Sequence, residues 1–269
     1  MRIGNREFDV RHDAHVMGIL NVTPDSFSDG GRYNRLDTAL HHAEQMVSAG
    51  AAVIDVGGES TRPGYTPVSD AEEIDRVAPV IEAIKARIDV PVSVDTYKSR
   101  VAEAALQAGC DMVNDIWGLK ADPDMAALIA RSDAACCLMH NRRQPVYEDF
   151  LSDVLSDLRE SIELAQHAGI REDGMLLDPG IGFAKDLQQN LLLTRRVSLL
   201  GALGYPVLLG TSRKSMIGLT LNLPRDQREE GTLATTVYGL MNGVSFFRVH
   251  DVQASVRAIA MTQAILDAE

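Results

Sequence analysis

Met17-Gly-Ile-Leu-Asn-Val-Thr-Pro-Asp-Ser-Phe-Ser-Asp-Gly-Gly31 changes character at a single residue, Asn21. The apolar run Val16 to Leu20 before it has the length of one buried parallel strand. The hydroxyls, Asp25, Asp29, Pro24 and glycine pair after it cannot continue a core strand and predict a surface loop. Taken alone, the segment reads as a solvated turn. Its weight comes from repetition, because the same passage from apolar strand to polar loop recurs down the chain.

Ala52 to Val56 opens into Gly57-Gly-Glu-Ser-Thr-Arg-Pro-Gly64, and Val90 to Val94 ends at Asp95. Met112 and Val113 lead to Asn114-Asp115, Ala134 to Met139 ends at His140, and Met175 to Leu177 ends at Asp178-Pro-Gly180. Pro206 to Leu209 runs into Gly210-Thr-Ser-Arg-Lys214, and Ser245 to Val249 carries Arg248 and leads to His250. Helical spacing fills the intervals: Ala39, Leu40, Ala43, Met46 and Val47 precede Gly50, and Leu151, Val154, Leu155, Leu158 and Ile162 share one face. Pro79 falls inside a helical stretch and predicts a kink.

About eight such units in roughly 255 residues fit a (β/α)8 TIM barrel. A doubly wound open sheet accounts less well for the count and length. With no linker or repeat, residues 1–269 read as a single domain, 1–13 being a short lead-in. Function in a barrel lies where the strands' C-terminal ends meet. The polar residues there are Asn21, Thr61, Arg62, Asp95, Asn114, His140, Asp178, Lys214, Arg248 and His250.

Composition removes several function classes. A net charge of -12 without a Lys/Arg-rich block argues against binding to nucleic acid or an anionic membrane surface. No apolar run reaches the length of a membrane span, and the N-terminus lacks a signal-peptide core, so a cytoplasmic location is expected. Cys110, Cys136 and Cys137 lack metal-ligand spacing and read as buried thiols in a reducing compartment. Gly180-Ile-Gly-Phe-Ala-Lys185 begins like a dinucleotide fingerprint but lacks its third glycine. Gly210 to Ser215 lacks the glycine before the lysine of a P-loop, and neither Ser212 nor Ser215 sits in a nucleophile elbow.

Asp95, Asn114 and Asp178 offer acceptors and one amide in a mouth otherwise lined by groups such as Met139 and Phe183. A carboxylate accepts two parallel N–H donors, the pattern of an aminopyrimidinone edge. Competing readings make Asp95 a helix cap and Asp178 a turn former before Pro179. Arg248, with a bidentate fork, and His250 with Asn21 suit an oxyanion. The Asn21 amide oxygen could ligate Mg²⁺, with Asp29 as the nearest aid. Lys214 admits a Schiff-base role as an alternative.

Asn21-Val-Thr-Pro-Asp-Ser-Phe-Ser-Asp-Gly-Gly31, Gly58-Glu-Ser-Thr-Arg-Pro-Gly64, Asp95-Thr-Tyr-Lys98, Asn114-Asp115, Asp178-Pro-Gly-Ile-Gly-Phe183, Ser212-Arg-Lys-Ser215 and Arg248-Val-His-Asp251 together resemble the dihydropteroate synthase family, in order and over nearly the whole chain. The resemblance implies a barrel that joins 6-hydroxymethyl-7,8-dihydropterin pyrophosphate to p-aminobenzoate, as a homodimer. It implies a pterin ring on Asp95, Asn114, Asp178 and Lys214 with Arg248 against its face. Pyrophosphate is implied at Asn21, Thr61, Arg248 and His250 with Mg²⁺ at Asn21, and p-aminobenzoate at Phe27, Thr61, Arg62, Pro63, Lys214 and Ser215. After His140 the chain departs from the family with Asn141-Arg-Arg-Gln-Pro145. A barrel that moves a methyl group from methyltetrahydrofolate to a corrinoid protein is the alternative, but it has no need of the Asn21–Gly31, Ser60–Gly64 and Ser212–Ser215 segments. p-Aminobenzoate is expected to bind second, because its loops are rich in small polar residues that are costly to order.

Overall fold

The computed structural model describes residues 1–23, 32–59 and 67–268, with the backbone alone for 32–35. Eight parallel strands form the centre: β3 (His15–Asn21), β4 (Val53–Gly57), β5 (Val92–Asp95), β6 (Met112–Asp115), β7 (Ala135–Met139), β8 (Met175–Asp178), β9 (Leu208–Leu209) and β10 (Phe246–Val249). Their order, β8-β7-β6-β5-β4-β3-β10-β9, is that of a rolled sheet. A parallel bridge from Leu177 to Val207, with Leu177 N–H donating to Pro206 O at 3.0 Å, joins its two edges. Helices between the strands cover the outside, giving the (β/α)8 barrel.

The barrel's interior follows from a period of two. Met17, Val53, Met112, Ala135, Cys137, Leu176, Leu208 and Phe246 form one apolar cluster inside it. Their outward neighbours, such as Val16, Ile54, Val113, Cys136, Leu177 and Phe247, pack with the helices in a second cluster. Two residues further along the strands, the inward positions become polar at Asp55, Asn114, Asp178 and Arg248. The apolar layer is therefore a floor, and the polar layer stands on it at the strands' C-terminal ends.

The lead-in does more than the sequence suggests. Arg2–Ile3 (β1) and Arg6–Glu7 (β2) pair antiparallel, and Ile3 and Phe8 join the interior cluster from below. The helix Asp70–Arg87 runs on through Pro79 as one helix, capped by Ser69 Oγ accepting from Glu72 N–H at 3.2 Å. A short helix, Ser215–Leu221, directly follows the Ser212-Arg-Lys segment, where the sequence reading had none.

Candidate active site

Arg248 organises the mouth. Its Nε donates to Asp55 Oδ2 and its Nη2 to Asp95 Oδ2, both at 2.6 Å. Asn114 Nδ2 donates to the same Asp55 oxygen at 3.4 Å. Asp55 is fully buried and Asp95 nearly so, and the Oδ1 atom of each finds no hydrogen-bond partner among the described residues. Burial raises Asp95 to about 7; Arg248 opposes the rise and Asp55 adds to it. Arg248 itself stays charged at any accessible pH, since its two carboxylates outweigh burial. Asp95 does not cap the following helix, as the competing reading had it, since the N-cap there is Lys98. Two nitrogens of Arg248 hold carboxylates, which leaves its Nη1 group as the donor for an oxyanion.

Asp178 serves two purposes at once. Its Oδ1 accepts the Gly180 N–H at 2.6 Å, which makes it the turn former of the alternative reading. Its Oδ2 faces Gly210, where an added Cβ would stand 3.7 Å from that oxygen and 3.9 Å from Arg248 Cβ. Glycine there keeps space beside the acceptor. Burial raises the Asp178 carboxyl, against the Gly180 N–H and the charges of Lys214 and Arg248. Lys214 lies with Nζ 4.2 Å from the Phe183 ring centroid, a cation–π distance. Burial and then Arg248 bring it down to about 8.

His250 is held at Nδ1 by Ser212 Oγ, 2.9 Å away, while its backbone N–H donates to the same hydroxyl at 3.2 Å. Met139 is register-paired with Asp178 and buried, and Ser215 opens its helix beside Lys214. Asn21 ends β3, opposite Gly57, where a Cβ would come 3.4 Å from its Oδ1 and 3.7 Å from Asp95 Cβ. Phe27, Asp29, Thr61, Arg62 and Pro63 lie outside the described residues.

His140 takes no part in the mouth. It is buried, with Nε2 on Asp157 Oδ2 at 3.0 Å and Nδ1 on Lys185 Nζ at 2.8 Å. Burial lowers it to about 4, so it is neutral at physiological pH. In the segment after it, Arg142 Nε reaches Asp157 Oδ2 at 2.5 Å. Asp115 accepts the N–H groups of Trp117 and Leu119 at 2.8 Å and shapes its own loop.

Sequence reasoning missed Asp55 and Lys185. The signal for Asp55 was a carboxylate at an inward position of an otherwise apolar strand. It also missed a clamp at the foot of the β4 loop, where Lys98 Nζ donates to Glu59 Oε2, Glu73 Oε2 and Val68 O at 2.7, 2.7 and 2.8 Å.

Among the described residues no three His, Cys, Asp or Glu side chains converge as a metal cage. A Mg²⁺ carried by a phosphate ester needs only one or two protein oxygens, and Asn21 Oδ1, at the end of β3, is an oxygen of the kind that would hold it. No helix among the described residues is long and apolar enough to cross a membrane.

The pterin binding enzyme family matches residues 17–250. The dihydropteroate synthase of Clostridium beijerinckii is 54% identical over 267 residues, covering 99% of each chain. A crystal structure of the Clostridium difficile dihydropteroate synthase, determined in the presence of pteroic acid, superposes with a TM-score of 0.95 at 50% identity, covering 97% of this chain and 100% of that one. The Xanthomonas albilineans enzyme with 4-aminobenzoic acid gives 0.91 at 42% identity, covering 96% and 94%. The chain belongs to the dihydropteroate synthase family of pterin-binding enzymes.

Proposed function

We infer that the strand-end mouth is where the chain carries out its family's reaction, condensing 6-hydroxymethyl-7,8-dihydropterin pyrophosphate with p-aminobenzoate to give 7,8-dihydropteroate and pyrophosphate. One observation carries the assignment. Two buried carboxylates of the mouth, Asp95 and Asp178, each keep an oxygen outside the hydrogen bonds that hold them, beside the Asn114 amide. Acceptors of buried carboxylates favour a ligand edge of N–H donors, and an analogue lacking those donors leaves them unpaired. The pteroic acid of one solved relative carries such an edge on its pterin ring, and the 4-aminobenzoic acid of the other is the arylamine half of the same product.

In this reading Asp178 and Asp95 receive the pterin's N–H groups, Asn114 its carbonyl edge, and Arg248, tethered by Asp55, lies against its face. Positive charge that develops on the pterin methylene as pyrophosphate departs is favoured by both carboxylates. Lys214, over Phe183, borders both substrates, and Ser215 takes the benzoate with Phe27, Thr61, Arg62 and Pro63. Ser212 Oγ accepts the His250 backbone N–H and shares a hydrogen bond with Nδ1, which fixes the ring's orientation. In the tautomer with its proton on Nε2, the imidazole would donate to the leaving anion. Asn21, with Asp29, would hold Mg²⁺, which supplies charge neutralisation to the leaving pyrophosphate. The arylamine attacks uncharged and needs no strong base.

A homodimer belongs to the same reading, supported by exposed Leu219, Leu221, Met241, Met261, Ile265 and Leu266 near the chain's C-terminal third. A cytoplasmic location is supported by three buried free thiols. A coupled assay of pyrophosphate release tests the reaction. Release should require both substrates and Mg²⁺, and release that ignores p-aminobenzoate would refute it.

A further inference from the structure

Lys185 lies behind the mouth, outside every role given above. Its Nζ meets three acceptors: His140 Nδ1 at 2.8 Å, Gly180 O at 2.9 Å and Phe183 O at 3.0 Å. An ammonium has three N–H donors and no acceptor, so the charged form satisfies this set in full. His140 is fixed to match. Its Nδ1 accepts from Lys185, which leaves the ring proton on Nε2 for Asp157. Asp157 is in turn held by Arg142.

The two carbonyls that Lys185 grips belong to the turn that equips the proposed pterin site. Gly180 donates its N–H to Asp178 Oδ1, and Phe183 carries the ring beneath Lys214. The turn has little room to relax by itself. A Cβ at Gly180 would stand 2.0 Å from His140 O, and one at Gly182 would stand 3.2 Å from Lys214 Cδ. Both glycines have positive φ, 68° and 85°, which glycine adopts freely, whereas Ala184, next to Lys185, holds a φ of 46° with a side chain.

We propose that Lys185 is a positioning residue for pterin binding: its ammonium fixes the Gly180–Phe183 turn, so that Asp178 commits one oxygen to Gly180 and presents the other to the ligand. The inference rests on the pterin reading of the mouth. Burial brings Lys185 down to about 7; among the groups facing it Asp178 and Asp157 favour its charge, Lys214 and Arg142 oppose it, and His140 is neutral. The ammonium also lowers the Asp178 carboxyl by its charge. Lys185 therefore acts by geometry and by field, and the two can be separated.

The test is calorimetric titration with 6-hydroxymethylpterin across pH, using Lys185→Met, Lys185→Arg and Asp178→Asn. Lys185→Met should weaken binding roughly ten- to a hundredfold, as the loss of charge-assisted hydrogen bonds implies. It should also move the acid limb of binding to higher pH, because Asp178 loses a neighbouring positive charge. Lys185→Arg should restore the acid limb but only part of the affinity, since a planar fork does not reproduce three converging donors. A folded Lys185→Met with affinity within threefold of the parent and an unmoved acid limb overturns the inference. If Asp178→Asn also leaves affinity unchanged, the pterin reading itself fails; if Asp178→Asn alone weakens binding, only the role of Lys185 fails. Should Lys185→Met not fold, nitrogen-detected NMR of the unmodified protein decides. A slowly exchanging Lys185 ammonium whose signal shifts on adding the pterin supports the role, and a freely exchanging or unresponsive one overturns it.

Discussion

Asp55→Asn should lower the pKa of Asp95, although Asp55 touches no substrate in the proposed site. Asp55 and Asp95 hold neighbouring nitrogens of one guanidinium at 2.6 Å each. At a separation of roughly 5 Å and an effective dielectric of about 20, one unit charge acts on the other with on the order of 3 kcal/mol. Removing it corresponds to about 2 pH units. Asp95 at about 7 should therefore fall toward the ordinary carboxylate range, and Arg248, left with a single carboxylate, reinforces the fall. The consequence for stability has a definite sign. A folded pKa of about 7 lies above the ~4 of an unfolded aspartate, so Asp95's contribution is complete below pH ~4 and is lost as pH rises to about 7. Asp55→Asn shortens that range from above and reduces the loss by on the order of 3 kcal/mol. Against this, the ion pair with Arg248 becomes a hydrogen bond from the guanidinium to a neutral amide oxygen, costing about 1.5–3 kcal/mol. The variant should be the less stable protein at pH 5, and the two stability curves should converge near pH 8. Denaturant unfolding at several pH values, with carbon-13 NMR titration of the Asp95 carboxyl, measures both effects. A difference in stability that does not change between pH 5 and 8, or an Asp95 pKa that rises, would refute the coupling.

Three further outcomes follow from the same geometry. Lys98→Met leaves Glu59 and Glu73, 5% and 1% exposed, without their shared cation, and should cost about 3–5 kcal/mol in denaturant unfolding; a cost below 1 kcal/mol would show that the clamp is not a buried ion network. Gly180→Ala places a methyl 2.0 Å from a backbone oxygen at a φ of 68°, so thermal melting should show a loss of more than about 2 kcal/mol, and an unchanged melting temperature would mean that the turn is not confined as described. p-Aminobenzoate should bind at least about tenfold more tightly once pyrophosphate, Mg²⁺ and a pterin are present, a coupling of about 1.4 kcal/mol, and equal affinities in the two titrations would mean a preformed pocket.

The barrel was legible because its two periodicities are strong. Short apolar runs such as Ala134 to Met139 read as buried parallel strands, and that one is observed over Ala135–Met139. Boundaries were less legible where regular structure is sparse. The lead-in carries too few apolar residues to announce a hairpin, yet Ile3 and Phe8 close the barrel floor. The strand predicted over 206–209 pairs as regular structure only at Leu208–Leu209, with Val207 contributing a single bridge. Neither feature has a local signal, because each is stabilised by the interior that it completes.

The gathering of Asp95, Asn114, Asp178 and Arg248 at the strand ends was legible and their wiring less so, and the reason is distance along the chain. Arg248 read as an anion ligand because a guanidinium near a loop ordinarily is one. Its partners, Asp55 and Asp95, stand 193 and 153 residues away, and only the closed sheet brings the three to one height. Once the barrel is granted, however, the pairing could have been argued. Asp55 lies two residues after Val53 and therefore faces inward, where an unpaired carboxylate is prohibitive. An inward arginine two residues after Phe246 sits in the same layer and is the cation that such a carboxylate requires. Lys185 offered no comparable clue. It stands at the end of a failed nucleotide fingerprint, and its three acceptors are a histidine ring and two carbonyls, groups with no sequence signature as partners. Side chains that bind charge to charge across a barrel can thus be inferred from parity and composition, whereas those that grip backbone become visible only when the turn they hold has a shape.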